Sequence, residues 1–363
     1  MPLLNVIFNF TKHKIGGIVK SKITKIASIA LCSIITLASF NLQVAKASEN
    51  VFINEKTAMS EIEQISNFLN QAIDESPVYR GFGTGIVRDE NDNITKINIT
   101  LENINDTALI HDILSLTNIP EENIAFTEIN VENAFGGMFG LPSFTLEELG
   151  LEEKNMDSNQ SSSDAEQRVV FRLGDLVLTP DPSSPGYYLY MSVGSPLSSR
   201  LGFNTANHGA IKSGASVLSG SGIVVGSIGQ TSFGGRTDVS EVRINSNDGI
   251  GSGNTINTTL PDTGQNLTNF KAPTPSVGTS VKAYLGYSNT VRTGQILSTS
   301  ESFVFDGVPM NDIIIVSMNA QGGDSGSVLV NGTGAIGLLT IGGLSYGGTP
   351  AVAFTKTTNI PWN

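Results

Sequence analysis

Beyond residue 168 the chain has no apolar stripe at helical spacing longer than a couple of turns. It has a series of short apolar runs instead, at 187–193, 222–228, 240–244, 280–287, 313–318, 327–330, 335–341 and 351–355, with turn residues between them. Short runs bounded by Gly, Pro, Asn, Asp and Ser read as strands, and a long succession of them reads as a sandwich or barrel. The content of Gly 39 with only 15% charged residues suits such a turn-rich β body. Residues 260–277 are rich in Pro, Thr, Asn and Gly and divide the body into two nearly equal halves. That division predicts two small antiparallel barrels joined by a crossing strand.

The N-terminal part is built differently. Residues 1–47 carry Lys12, Lys14, Lys20, Lys22 and Lys25, then an apolar run, then Ala45-Lys46-Ala47. Positive region, apolar core and small-x-small site together read as a secretory signal peptide cut after Ala47. The run is shorter than the ~20 apolar residues of a membrane span and is diluted by Ser and Thr, so no stable membrane anchor is expected. The sole cysteine, Cys32, lies in this leader, so the exported chain forms no internal disulfide.

Residues 48–133 are strongly acidic and read as a small α/β domain. Met59, Ile62, Ile65, Phe68, Leu69 and Ile73 predict an amphipathic helix over 57–73. Runs at 79–87 and 94–101 predict a β-hairpin. Asn105 or Asp106 caps a second helix, and 124–131 reads as a further strand. Gly81-Phe82-Gly83-Thr84-Gly85 is no phosphate loop, because it lies in a strand and no Lys follows it. Asp89-x-Asn91-x-Asn93 begins like a calcium loop but has Ile94 where Gly is needed and Thr100 where Glu is needed. His111 has no second ligand at metal spacing. No metal site and no cofactor are expected, and no basic patch with aromatics points to nucleic acid. Residues 134–168, rich in Ser, Asn and Asp in their second half, read as a flexible linker of the kind proteases cut, with processing expected between about 155 and 173.

Chemistry concentrates in residues 169–363, where charge is nearly balanced although the whole chain carries −12. Gln321-Gly322-Gly323-Asp324-Ser325-Gly326-Ser327 sets a serine in a glycine-rich turn, where an Oγ can stand clear and backbone N–H groups can converge. The body holds one histidine, His208, in Thr205-Ala206-Asn207-His208. Asp238 stands at the mouth of the alternating stretch Asp238-Val239-Ser240-Glu241-Val242-Arg243-Ile244. A serine hydroxyl needs a base within reach, and the base needs a carboxylate to fix its tautomer. His208, Asp238 and Ser325 are therefore the candidate catalytic set.

These three motifs, in this order, resemble those of the chymotrypsin-fold serine proteases, nearest the bacterial secreted branch of alpha-lytic protease, streptogrisins and glutamyl endopeptidases. Thr205-Ala206-Asn207-His208 resembles the family's T-A-x-H, and Gly323-Asp324-Ser325-Gly326-Ser327 its G-D-S-G-[GS]. The resemblance covers about 169–363 and implies a mostly β fold of two antiparallel six-stranded β-barrels. It implies His208 as base then acid, Asp238 as orienter, Ser325 as nucleophile, and the N–H groups of Gly323 and Ser325 as oxyanion hole. Asp324 is then the buried aspartate that pairs with a new N-terminus or a substitute. Asn319 lies at the floor of the first specificity pocket and Thr340, Ile341, Gly342 and Gly343 along its wall, which implies uncharged side chains before the cut bond. Gly209 stands where the family has a cysteine, and Asn207 sets a larger side chain beside the base.

The resemblance also implies that the α/β segment is a pro-domain, folding aid and inhibitor of its own enzyme. The resulting expectation is a secreted serine endopeptidase made as a pre-pro-enzyme, acting on protein or peptide substrates through an acyl-enzyme. The rival is a secreted, non-catalytic binding or surface protein that keeps the protease fold.

Overall fold

The computed structural model describes residues 52–75, 82–89, 91, 93–130, 143–151, 169–198, 201–208, 211–244, 255–305 and 308–362. The leader and the expected processing region up to 168 lie outside them. No helix among the described residues is long and apolar enough to cross a membrane.

Helix α1 (Glu55–Glu75) turns Ala58, Ile65 and Leu69 into a core, as their three-and-four spacing requires. It packs on β1 (Phe82–Arg88) and β2 (Ile94–Leu101), which form the expected hairpin. The turn between them is closed by Asp89, whose Oδ1 accepts from the N–H groups of Asn91 and Asn93 at 2.9 Å each. Those bonds, Asn93 foremost, hold the Asp89 carboxyl below its usual range. The stretch that opens like a calcium loop is thus a hairpin turn held by its own aspartate. Helix α2 (Thr107–Leu116) is capped by Asp106, which accepts from Leu109 N. A 3-10 turn (Glu121–Asn123) leads into β3 (Ile124–Asn130), parallel to β2. His111 is exposed on α2.

Within the span read as a linker, residues 143–151 are packed. β4 (Ser143–Phe144) is followed by a single turn in which Thr145 Oγ1 accepts from Glu148 N and Glu148 Oε2 from Thr145 N. Phe144, Leu146, Leu149 and Leu151 lie against Leu178, Tyr190 and Leu218.

The body begins with β5 (Val170–Arg172), β6 (Leu176–Pro180), β7 (Tyr188–Ser192), β8 (Gly202–Thr205), β9 (Ser216–Ser219), β10 (Val224–Gly234), β11 (Thr237–Ile244) and β12 (Thr255–Asn257). One sheet runs β4-β7-β6-β9-β10-β11-β8, and a bridge from Pro196 to Phe203 ties the chain just beyond β7 back to β8. Val177, Met191, Phe203, Val225 and Val242 fill its interior. The second half holds β13 (Ser280–Leu285), β14 (Thr290–Phe305), β15 (Val308–Val316), β16 (Val328–Asn331), β17 (Gly334–Tyr346) and β18 (Thr349–Lys356). Their antiparallel pairings run β13-β14-β15-β18-β17-β16 and return to β13. Leu285, Ile296, Ile314, Leu329 and Phe354 fill this circuit. The chain is mostly β, with two six-stranded circuits where the turn pattern predicts two barrels. That pattern leaves out β6, β8 and β9 of the first circuit and β14 of the second, the longest of them, whose Ser- and Thr-rich middle carries no clean alternation.

The N-terminal elements share a sheet with the second circuit. β1 pairs with β14 (Gly83 opposite Phe303), and β3 pairs with β17 (Asn130 opposite Ser345). Glu301 of β14 is fully buried at this joint, where it accepts from Thr100 Oγ1 at 2.6 Å and Tyr346 OH at 3.2 Å. Asn98 Nδ2 donates in turn to Tyr346 OH at 2.5 Å. A Cβ on Gly83 or Gly85 would stand 2.6 Å from the Glu301 carboxylate. Gly83 and Gly85 therefore make room for a carboxyl group.

Desolvation raises the Glu301 pKa, against the opposing bonds from Thr100, Ser298 and Tyr346. An acid whose folded pKa lies above its unfolded value stabilises fully below the unfolded value and progressively less as pH rises through the folded one. Thermal unfolding of Glu301→Gln and wild type is expected to nearly coincide near pH 4. The variant should gain several degrees by pH 8, at about 2–4 °C per kcal/mol for a domain of this size. Parallel curves for the two proteins at all pH values would remove Glu301 as a titrating group in folding.

Candidate active site

Three loops meet between the two circuits. β8 ends at Thr205 and delivers His208 three residues later. β11 carries Asp238 as its second residue, just after the tight turn at Gly234 and Gly235. Both belong to the first circuit. Ser325 stands in the turn before β16 of the second. The sheets are joined at this point, because Ser192 N of β7 donates to Ser325 O at 2.8 Å and Ser192 Oγ to Gly323 O at 3.2 Å.

His208 Nδ1 lies 2.6 Å from Asp238 Oδ2, and His208 Nε2 lies 2.8 Å from Ser325 Oγ. All three residues are buried, with exposures of 1%, 0% and 0% for His208, Asp238 and Ser325. An ionised carboxylate only accepts, so the proton between Asp238 and the ring sits on Nδ1. Nε2 is left as the acceptor facing the serine hydroxyl. The second Asp238 oxygen is fixed by Asn207 N at 2.7 Å. Asn207 does not crowd the base. Its side chain is turned aside, and its Oδ1 accepts from Ser240 Oγ at 2.9 Å.

The nucleophile turn needs glycine at two places. Gly323 has φ +96°, and a Cβ there would stand 2.8 Å from Tyr287 Cγ. Gly326 has φ +86°, and a Cβ would stand 2.1 Å from Thr205 Oγ1. Gly326 N donates to Leu339 O, and Ser327 N donates to Asp324 O. Among the described residues no hydrogen bond takes up the N–H of Gly323 or of Ser325.

Asp324 is fully buried and accepts three bonds. Ser288 N gives 2.8 Å, Ser288 Oγ 2.5 Å and Gln321 N 3.0 Å. Ser288 thus occupies the place that the resemblance gives to an N-terminus or its substitute, and it holds the turn. Nothing in the pattern around Ser288 singles it out in the sequence. The same holds for Ser192 and for the aromatic pair Tyr190 and Tyr287, whose ring centroids are 5.1 Å apart.

The pocket residues are placed less uniformly. Asn319 is exposed on the segment between β15 and the nucleophile turn. The Ile341 side chain is buried among Ile129, Ile313 and Leu344, so at this position β17 can offer a substrate only its backbone. Gly342 is buried and Gly343 half-buried, with φ +72° at Gly343. The ladder between β17 and β18 slips between Ile341 and Leu344.

No family profile and no curated protein matches this chain. Solved structures do. One is a glutamic-acid-specific serine protease, 20% identical, covering 52% of this chain and 94% of its own, with a TM-score of 0.40. The chymotrypsin of Cellulomonas bogoriensis is 22% identical over 52% of this chain and 94% of its own, with a TM-score of 0.39. A Nocardiopsis protease is 22% identical over 53% of this chain and 97% of its own, with a TM-score of 0.40. Over about half its length the chain is similar to bacterial chymotrypsin-fold serine proteases.

Proposed function

We propose that this chain is a secreted serine endopeptidase made as a pre-pro-enzyme. The observation that carries the reading is the buried relay Asp238–His208–Ser325, two hydrogen bonds of 2.6 and 2.8 Å in series. His208 Nε2 takes the Oγ proton as Ser325 attacks the peptide carbonyl. The N–H groups of Gly323 and Ser325 hold the oxyanion. His208 then returns the proton to the leaving amine, which leaves an acyl-enzyme, and a water activated by the same nitrogen hydrolyses it. Asp238 keeps the ring in the tautomer that accepts at Nε2 and stabilises the imidazolium. A protein that only binds has no use for this relay.

The N-terminal α/β segment serves in this reading as pro-domain, aiding the slow folding of a body rich in non-local contacts. Its strand pairings to β14 and β17 support that role. Ser325 has no solvent exposure in the full-length chain, which fits a latent form. Asn319, which the resemblance puts at the floor of the first specificity pocket, is read as favouring uncharged side chains before the cut bond. In this reading residues 1–47 act as a signal peptide and direct the product outside the cell.

A fluorophosphonate probe tests the assignment. The processed protein is expected to label, whereas Ser325→Ala and His208→Ala are expected to remain unlabelled while keeping the wild-type fold by circular dichroism. Asp238→Asn should slow peptide hydrolysis by about four orders of magnitude. Labelling within tenfold of wild type in the His208 variant would sink the mechanism.

Ser288→Ala removes one donor from the buried Asp324. It is expected to cost about 1–3 kcal/mol of stability and to slow labelling, with Ser288→Thr restoring both. An alanine variant indistinguishable from wild type in melting and labelling would show that Ser288 does not hold the turn.

A further inference from the structure

Residues 143–151 lie along an edge that a peptide substrate would need. β4 pairs antiparallel with β7, with Ser143 opposite Leu189 and Phe144 opposite Tyr188. That register fixes a direction. Along β7, the path from Leu189 to Ser192 leads to the nucleophile, since Ser192 N donates to Ser325 O at 2.8 Å. The C-terminal direction of β4 runs the other way, away from Ser325. A bound substrate has the same polarity, because the half that leaves as the amine is C-terminal to the cut bond. The wall assigned to the acyl half, at Thr340–Gly343, belongs to the other circuit. The β7 edge therefore offers the leaving half a strand with which to pair.

The side chains along this edge are aromatic. The Phe144 ring centroid lies 5.1 Å from that of Tyr190, and Tyr190 lies 5.1 Å from Tyr287. Tyr287 closes the row against the nucleophile turn, since it is the group a Cβ on Gly323 would strike at 2.8 Å. It keeps 43% of its surface exposed, so the row remains open beside the turn. Tilted aromatic rings at such spacing attract one another beyond simple burial. Leu146, Leu149 and Leu151 anchor the segment on Leu178 and Leu218.

We propose that the β7 edge, with Tyr190 and Tyr287, is the subsite for the leaving half of a peptide substrate and selects an aromatic side chain there, and that residues 143–151 occupy it in the uncut chain as a built-in competitor. The inference rests on the endopeptidase reading. Phe144 is the stand-in for the substrate's aromatic residue.

The test uses the processed, probe-reactive protein and quenched peptides that are identical before the cut bond. Phe, Ala and Asp are placed in turn at each of the first four positions after it. Phe at one of those positions is expected to raise kcat/KM by about tenfold over Ala, mostly through KM. Tyr287→Ala should bring that ratio near one, and Tyr287→Phe should restore it. A peptide with the sequence of residues 143–151 should raise KM for the Phe peptide, and a scrambled peptide should not. A segment that merely packs would alter melting and leave the Phe-to-Ala ratio untouched. A ratio that survives Tyr287→Ala, or no aromatic preference in a protein that labels with fluorophosphonate, overturns the subsite alone. Absence of labelling removes the endopeptidase reading, and the subsite falls with it.

Discussion

The hydrogen bond from Ser192 N to Ser325 O joins the two β circuits at the nucleophile. Everything chemical in the molecule depends on that joint. His208 and Asp238 are fixed to the first circuit by β8 and β11, and Ser325 to the second by the turn before β16. Neither circuit alone brings a base to a hydroxyl. An imidazole 2.8 Å from an Oγ is a statement about how two separately filled cores are docked. The close approach of Gly326 to Thr205 belongs to the same docking, since any side chain at 326 would push the circuits apart. A displacement of about 1 Å there would carry the imidazole out of hydrogen-bond reach of the hydroxyl.

Buried polar groups hold this joint, and they act asymmetrically. A satisfied hydrogen bond adds only about 0.5–1.5 kcal/mol net, whereas a buried group left without its partner costs about 1–3 kcal/mol and more when charged. Asp324 and Asp238 are both fully buried, and among the described residues neither sits in a salt bridge with Lys or Arg. Asp324 is satisfied by Ser288 and Gln321, and Asp238 by His208 and Asn207. Each carboxylate thus selects one arrangement of two loops and penalises the others. Such groups fix geometry more than they add stability, which is what a site built from two halves requires.

Glu301 applies the same logic at the other joint, with a different outcome. Its donors are hydroxyls from β2, β14 and β17, and among the described residues no cation offsets the lost hydration. The sheet pairing of β1 to β14 covers a carboxyl that water would hold better once it is ionised. The contact between the N-terminal elements and the body is consequently weakest where that carboxyl carries its charge. Asp312 makes the contrast. Also largely shielded, it meets Lys356 and Arg236, and its carboxyl lies below its usual range although desolvation, the largest influence on it, pulls the other way. Two acids within eleven residues of β14 and β15 are driven in opposite directions by the presence or absence of a cation.

What the sequence could and could not reveal follows from how local each constraint is. The meeting of His208, Asp238 and Ser325 was legible because each sits in its own short pattern, a glycine turn or a strand mouth, and the body holds only one histidine. The strands with clean alternation were legible for the same reason. β14 was not, because its polar middle is buried against Thr100 of β2 and Tyr346, which lie 201 and 45 residues away from Glu301. The glycines at 83 and 85 share only their spelling with a phosphate loop. Their reason is a carboxylate supplied from β14, and no window on the N-terminal segment contains it. Residues 143–151 read as linker because the stretch that follows them is rich in Ser, Asn and Asp, yet Phe144, Leu146, Leu149 and Leu151 find a face on the first circuit. A sequence pattern reports the partners a residue has within its own element. Ser288, Tyr287 and Glu301 have theirs across the fold, and only the docking of distant strands gives them a role.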